Sequence, residues 1–332
     1  MQLVCPAGNL PALRAAIDAG ADAVYLGFRD QTNARAFPGL NFSDAEIRQG
    51  TAYARARGRS VYVALNTYPD SAHLSHWHRA VDTAAELGVD AIIAAEMAVL
   101  DYACRNHPAL PRHLSVQGSA TTAPALRYAH ERFGIARAVL PRVLSVQQVE
   151  RLCRTAPVPL EVFAFGSLCI MVEGRCQLSS YVTGMSPNRH GVCSPASFVR
   201  WDEHPDDSRS VRLNDVLIDR FEPEEPAAYP TVCKGRYGVG GEIFHALEEP
   251  TSLNTLQLIP PLAQAGVAAL KIEGRQRGAA YVDAVTRTWR AALDRHRNAP
   301  ADWRPQAQWQ STLSSHAEGH QTTLGPYHRA WH

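Results

Sequence analysis

Short runs of apolar and β-branched residues alternate with stretches of helical periodicity from the first residue onward, and this alternation limits what the chain can fold into. Residues 3–5 read as a strand, Pro6-Ala7-Gly8-Asn9 as a turn, 10–19 as a helix closed by Gly20, and 23–27 as the second strand. Strand, helix, strand in strict order is the pattern of a parallel sheet covered by helices. A long loop over 28–42 carries Asn33 and Arg35, and Ser43 with Glu46 three residues on forms a capping box for the next helix. Further strands are expected at 61–65, 91–95, 113–116, 138–140 and 160–165, with helices at 72–87, 98–105, 124–133 and 145–154 between them.

An eighth strand, 268–272, comes only after a long interruption and leads into Glu273-Gly274-Arg275 and a helix over 279–295. Eight such units predict an α/β fold, a (β/α)8 TIM-like barrel of about 250 residues once the interruption is set aside. The competing architecture is a doubly wound open sheet, because periodicity alone does not prove closure. The expected organisation is one barrel domain over 1–332, with a cysteine-rich insertion at 167–265 between strands 7 and 8. A C-terminal extension at 299–332, rich in Pro, Gln, His and Trp, is expected to pack irregularly.

The balance of 33 Lys plus Arg against 32 Asp plus Glu gives no basic field, so nucleic acid is not favoured as a partner. No apolar run reaches the roughly 18 residues of a membrane span, and no export signal is read, so the expected location is cytoplasmic. In that reducing compartment seven cysteines, an odd number, point to free thiols or metal ligands over a disulfide framework.

Barrel enzymes carry their chemistry at the C-terminal ends of the strands. The polar residues expected there are Asn33 and Arg35, Asn66, Glu96, Gln117, Arg142, and Glu273 with Arg275. Arginines at these ends suit an anionic small molecule, which guanidinium groups bind through paired donors. Asn33, Asn66 and Gln117 are candidates for orienting hydroxyl or carbonyl groups. Glu96 and Glu273 are candidates for proton transfer if the site raises their pKa, whereas a nearby Arg would lower it.

The insertion holds Cys169, Cys176, Cys193 and Cys233, none in the close CxxC spacing common in structural zinc sites. Four thiolates suit an iron-sulfur cluster or zinc, and unrelated buried thiols are the third reading. Cys104 and Cys153 fall in predicted helices and read as core, while Cys5 stays open. There is no HExxH, P-loop or GxSxG motif, and no base is assigned to Ser167 or Ser179.

The stretch from Glu161 to Cys169, continuing through Gly174-Arg175-Cys176-Gln177-Leu178-Ser179, resembles the signature of the collagenase-like peptidase family U32. The resemblance extends over the whole chain through Cys5-Pro6-Ala7-Gly8-Asn9-Leu10, Thr32-Asn33-Ala34-Arg35, the stretch from Glu248 to Asn254, and Gln321-Thr322-Thr323-Leu324-Gly325. It implies a component of oxygen-independent hydroxylation in ubiquinone biosynthesis, a heterodimer with a UbiV-like protein, acting on a polyprenyl-phenol quinone precursor. It further implies a [4Fe-4S] cluster on Cys169, Cys176, Cys193 and Cys233, and prephenate as oxygen donor, a dicarboxylate that suits Arg35, Arg142 and Arg275. RNA-base hydroxylation and a collagenase-like peptidase are the alternatives within the same family.

Overall fold

The computed structural model describes residues 1–169, 171 and 175–328. Seven parallel strands alternate with six helices in its first half: β1 (Gln2–Pro6), α1 (Leu10–Asp18), β2 (Ala23–Leu26), α2 (Asp44–Arg55), β3 (Ser60–Leu65), α3 (Leu74–Glu86), β4 (Ala91–Ala94), α4 (Met97–Asn106), β5 (Arg112–Leu114), α5 (Ala123–Phe133), β6 (Ile135–Val139), α6 (Val146–Thr155) and β7 (Leu160–Ser167). The helices start where side chains satisfy their free N–H groups. Asn9 accepts from Ala12 N, and Ser43–Glu46 and Ser145–Gln148 each form a full capping box.

The insertion then folds on its own terms. It contains α7 (Gln177–Thr183), α8 (Pro187–His190), the strands β8 (Val199–Glu203), β9 (Arg209–Leu213) and β10 (Val216–Phe221), and the hairpin β11 (Tyr237–Val239) and β12 (Glu242–Phe244). The three-stranded sheet is antiparallel and holds its own small core of Val211, Leu213, Ile218 and Phe221. The sequence of this segment shows few regular signals, because strands with one solvated face carry mixed residues. A short strand, β13 (Ser252–Asn254), returns the chain to the barrel by pairing antiparallel with the end of β7, Ser252 opposite Ser167.

After α9 (Ile259–Gln264) comes the eighth barrel strand, β14 (Ala269–Ile272). It pairs parallel with β1, Leu3 opposite Leu270, and also with β7, Val162 opposite Leu270. That double pairing closes the barrel and excludes the open sheet. One set of strand residues packs outward against the helices, with Trp77 and Trp289 fully buried among them. The alternate set, including Val4, Tyr25, Tyr62 and Ile93, fills the lumen.

The expectation of an irregular C-terminus is overturned. After α10 (Ala279–Asn298) the chain forms α11 (Ala307–His316) and β15 (Thr322–Thr323), which pairs parallel with β13. Trp303 and Trp309 stack 5.8 Å apart, and α11 buries Leu313. Strand β6 begins at Ile135, earlier than expected, because Arg137 interrupts the apolar run.

Candidate active site at the barrel mouth

The floor of the site is charged. Alternation along the strands places His113 of β5, Arg137 of β6, Glu161 of β7 and Lys271 of β14 together in the lumen. Lys271 Nζ donates to Glu161 Oε1 at 2.7 Å and lies 3.9 Å from the centre of the Tyr25 ring. Arg137 Nη1 donates to the other carboxylate oxygen at 3.1 Å, and Tyr25 Oη donates to the Ile272 carbonyl at 2.9 Å. Burial raises the pKa of Glu161, but Lys271 and its other cationic neighbours outweigh it and hold the carboxyl below its ordinary range. His113 packs edge-on against Tyr62 at 4.7 Å, and burial pushes its pKa down to about 4, so the imidazole is neutral at pH 7. The sequence analysis missed these residues. Their signal was a charged side chain inside an apolar barrel strand, where the period of two puts it in the lumen.

Above the floor, the loops after β2 and β14 lock together. Arg275 Nη1 donates to Asn33 Oδ1 at 3.0 Å and Nη2 to the Ala34 carbonyl at 2.8 Å. Asn33 Nδ2 donates in turn to the Phe28 carbonyl at 2.7 Å. Asn66 accepts from Ala34 N at 3.0 Å and donates to Ser115 Oγ at 3.4 Å. These three side chains, expected to meet substrate, use these polar atoms to set the shape of the loops. Gly27 is required beside them, since a Cβ there would lie 2.4 Å from Asn33 Cγ.

Glu273 is buried in the mouth, with Arg35 Nη2 3.3 Å from its Oε1. Burial alone would raise its pKa, but Arg35, Arg142, Arg277 and Arg275 outweigh it and keep it below the ordinary carboxylate range. Of the two possibilities read from the sequence, an acid with raised pKa or a paired anion, the arginines select the second. Arg142 Nη1 donates to the Ser167 carbonyl at 2.6 Å, and its guanidinium lies 4.6 Å from the Phe163 ring centre. Arg35 is thus the guanidinium against this carboxylate, and Arg142, Arg275 and Arg277 add their field to it. Among the described residues Arg35 Nε and Gln117 Oε1 are buried with no hydrogen-bond partner, although the Gln117 carbonyl accepts from Tyr68 Oη at 2.8 Å. Glu96 stands apart from this network, half-buried, and accepts from Val99 N at 2.9 Å as the cap of α4.

Among the described residues no disulfide joins the seven cysteines. Cys169, exposed, and the half-buried Cys176, Cys193 and Cys233 hang over the mouth in the insertion. Cys176 feels the charges of Cys169 and Ser179 N, while Cys193 feels Arg35 and Cys176, and Cys233 feels Cys169, so the four form one electrostatic neighbourhood. Burial raises all three half-buried thiols, Cys233 to about 12. Ser179 N donates to Cys176 Sγ at 3.3 Å, and the Ser179 hydroxyl donates to the Cys193 carbonyl. Gly191 presses this segment onto the β2 loop, with a Cβ there only 2.4 Å from the Asn33 carbonyl oxygen. Among the described residues no three His, Cys, Asp or Glu side chains are gathered tightly enough to hold a metal ion, and Ile170 and residues 172–174, between Cys169 and Cys176, lie outside them. The donor set nonetheless suits a soft metal or cluster: four cysteine sulfurs outside any disulfide, which bind such a metal as thiolates once it displaces their protons. Cys5 is not part of it. It is buried against α10, where Thr286 Oγ1 donates to its sulfur at 3.3 Å.

A closed barrel with an arginine-rich mouth and a strap of four thiols defines a class of barrel proteins whose insertion after the seventh strand builds the site. Residues 8–329 match Peptidase family U32, and the chain belongs to that family. It is similar to tRNA hydroxylation protein P of Helicobacter pylori, 32% identical over 300 residues, covering 89% of this chain and 64% of that protein. It is also similar to a collagenase of Porphyromonas gingivalis, 30% identical over 325 residues, covering 95% of this chain and 70% of the other. The 23S rRNA 5-hydroxycytidine C2501 synthase of Escherichia coli is 27% identical over 297 residues, covering 89% of this chain and 39% of the synthase. The chain spans about two-thirds of the length of the tRNA hydroxylation proteins it matches. No helix among the described residues is long and apolar enough to cross a membrane.

Proposed function

We propose that this chain is a hydroxylation protein of the U32 family that acts without oxygen in ubiquinone biosynthesis. The observation that best supports this reading is the mouth itself, where Arg35 lies against the Glu273 carboxylate, four arginines hold that carboxyl below its ordinary range, and Arg35 Nε and Gln117 Oε1 are buried with no hydrogen-bond partner among the described residues. Arg35 Nε and Gln117 Oε1 are buried polar atoms that a ligand's own acceptor and donor groups would satisfy. A dicarboxylate oxygen donor such as prephenate has groups of this kind. Arg35 and Arg142 would bind its carboxylates, Arg275 with Asn33 and Asn66 would hold the loops around it, and Gln117 would orient a hydroxyl. Glu273 would keep the arginines fixed between turnovers.

Cys169, Cys176, Cys193 and Cys233 would hold a [4Fe-4S] cluster above the donor. When bound, the cluster supplies one-electron redox chemistry next to the mouth. The ubiquinone role rests on the resemblance of Cys5-Pro6-Ala7-Gly8-Asn9-Leu10, Thr32-Asn33-Ala34-Arg35 and Gln321-Thr322-Thr323-Leu324-Gly325 to UbiU, which acts with UbiV. The acceptor would be a polyprenyl-phenol, and the working unit a heterodimer with a UbiV-like protein in the cytoplasm.

The likeness to tRNA hydroxylation protein P and to the 23S rRNA 5-hydroxycytidine C2501 synthase favours a second reading, hydroxylation of an RNA base. A peptidase is less well supported, because the hydroxyl of Ser167 donates to Glu318 and that of Ser179 to the Cys193 carbonyl, which leaves neither aimed at an imidazole. The test is anaerobic purification with the UbiV-like partner, followed by iron and sulfide analysis and a hydroxylation assay with prephenate. Expected are iron and sulfide, and ring hydroxylation that depends on the four cysteines. Normal anaerobic quinone in a deletion strain, with loss of one hydroxylated RNA base, would transfer the assignment to RNA.

A further inference from the structure

Glu318 lies in the C-terminal extension, far in sequence from the cysteines, yet its carboxylate joins three elements of the mouth. The Ser167 hydroxyl at the end of β7 donates to one of its oxygens, and Lys234, the neighbour of Cys233, donates to the other. Arg277, in the loop after β14, approaches to 3.8 Å. The backbone at Glu318 is itself fixed. Glu318 N donates to Ser252 Oγ at 3.0 Å, and Ser252 N donates to the Gln321 carbonyl at 3.0 Å as β15 runs beside β13. The next residue, Gly319, has φ of +57°, and a Cβ there would lie 2.4 Å from the Pro250 carbonyl oxygen, so the turn is seated tightly.

The pair is not an ordinary surface bridge. The side chains of Lys234 and Glu318 are only 14% and 23% exposed. The remaining nearby carboxyl, Glu248, is tied to the same turn through its backbone N–H on the Cys233 carbonyl at 3.1 Å.

We propose that Glu318 is a positioning residue for the cysteine site, holding Lys234, and with it the Cys233 turn, against the end of β7 while balancing the ammonium charge beside the thiolates. This rests on the cluster reading above. The C-terminal extension then completes the metal site, and the charge next to the cluster is set by a residue outside the cysteine segment. Lowering negative charge near a cluster favours its reduced form.

The test uses the full chain, purified anaerobically as wild type, E318Q, K234M and the double variant, with iron and sulfide per chain and the cluster midpoint potential measured for each. E318Q is expected to shift the potential upward and to lose iron faster on exposure to a chelator, K234M to shift it downward and to lose iron faster as well, and the double variant to return close to wild type in potential while still losing iron as fast as the single variants. A merely structural pair would not produce shifts of opposite sign. If the wild type holds a cluster and both single variants keep its potential, or shift it in one direction, this inference falls and the cluster reading stands. If E318Q holds no cluster, a K234M variant that is equally empty supports the proposal, because it breaks the same tether, and a K234M variant that keeps iron as the wild type does overturns it. A wild type without iron or sulfide overturns both readings.

Discussion

The floor and the mouth of this barrel are both buried and both charged, but their charges are arranged to different ends. On the floor, Glu161 accepts from Lys271 and Arg137, and Lys271 also lies against the Tyr25 ring, so the carboxylate and its cations satisfy one another. At the mouth, Glu273 touches Arg35 and lies in the field of Arg142, Arg275 and Arg277, while Arg35 Nε is buried with no acceptor among the described residues. A buried polar group that is fully paired holds structure together, whereas one left without a partner is a place for a ligand. The difference separates residues whose loss should unfold the protein from residues whose loss should empty the site.

The largest effect is expected on the floor. Glu161→Leu would leave Lys271 and Arg137 facing an apolar side chain, at a cost of about 3–5 kcal/mol. Adding Lys271→Met should recover much of that loss, because it removes the stranded ammonium. Urea unfolding midpoints read both. A loss below about 1 kcal/mol for the single variant, on the scale of exposed pairs, would mean that the floor is hydrated and the comparison is unsound.

Next in size is a pH dependence that belongs to the floor. His113 has its folded pKa lowered from 6.5 to about 4. Between those values the unfolded chain takes up a proton that the folded chain refuses, so stability falls as pH falls through this window. The full effect is about 3 kcal/mol, at roughly 1.4 kcal/mol per pKa unit. Glu161 and Glu273 have lowered folded pKa values, so their contributions persist through the same window and are lost only as pH drops below the ordinary carboxylate value of 4.5. His113→Gln should flatten the slope between pH 6.5 and 4 and leave the acid limb below it intact. An unchanged slope would assign the window to another histidine.

The mouth should respond in affinity instead. Arg35→Met and Arg142→Met should each weaken binding of a dicarboxylate about 10–100-fold, the value of about 1.5–3 kcal/mol for a hydrogen bond to a charged group. Their unfolding midpoints should move far less than those of the floor variants. Calorimetric titration with prephenate and urea unfolding on the same samples would show whether the two effects separate. A mouth variant that unfolds as readily as Glu161→Leu would erase the distinction between the two regions.

The two regions were not equally legible in the sequence. The barrel could be read because each strand is an apolar run too short for anything else, and its cap residues, Ser43 with Glu46 and Ser145, sit where helices begin. The mouth could be read because strand ends are polar by necessity in this fold, so Arg35, Arg142 and Glu273 stood out by position. What could not be read is which polar atoms are already engaged. Arg275 and Asn33 bond to each other across 242 residues of sequence, and nothing local signals it. The floor was passed over because a lone Arg137 or Lys271 within a strand looks like a solvated face until the barrel closes around it. The insertion and the C-terminal helix were missed for a related reason: β8, β11 and β12 are largely exposed, and α11 buries only Leu313, so neither has strong apolar periodicity.

The smallest expected effect concerns two cysteines that the sequence places near the same end of the barrel. Cys5 is fully buried, with its sulfur accepting from Thr286 and its pKa raised to about 12 by burial, whereas Cys169 is exposed. A buried, protonated thiol is inert, and reactivity follows access and thiolate character. Cys5→Ala should therefore cost about 1 kcal/mol from the small cavity it leaves and should not change iron content. In the metal-free chain, an alkylating reagent should modify Cys169 first and reach Cys5 only on unfolding, as mass spectrometry of the labelled peptides would show. Early labelling of Cys5, or iron lost from its alanine variant, would move that thiol from the core to the mouth and make the cysteine site larger than the four thiols of the insertion.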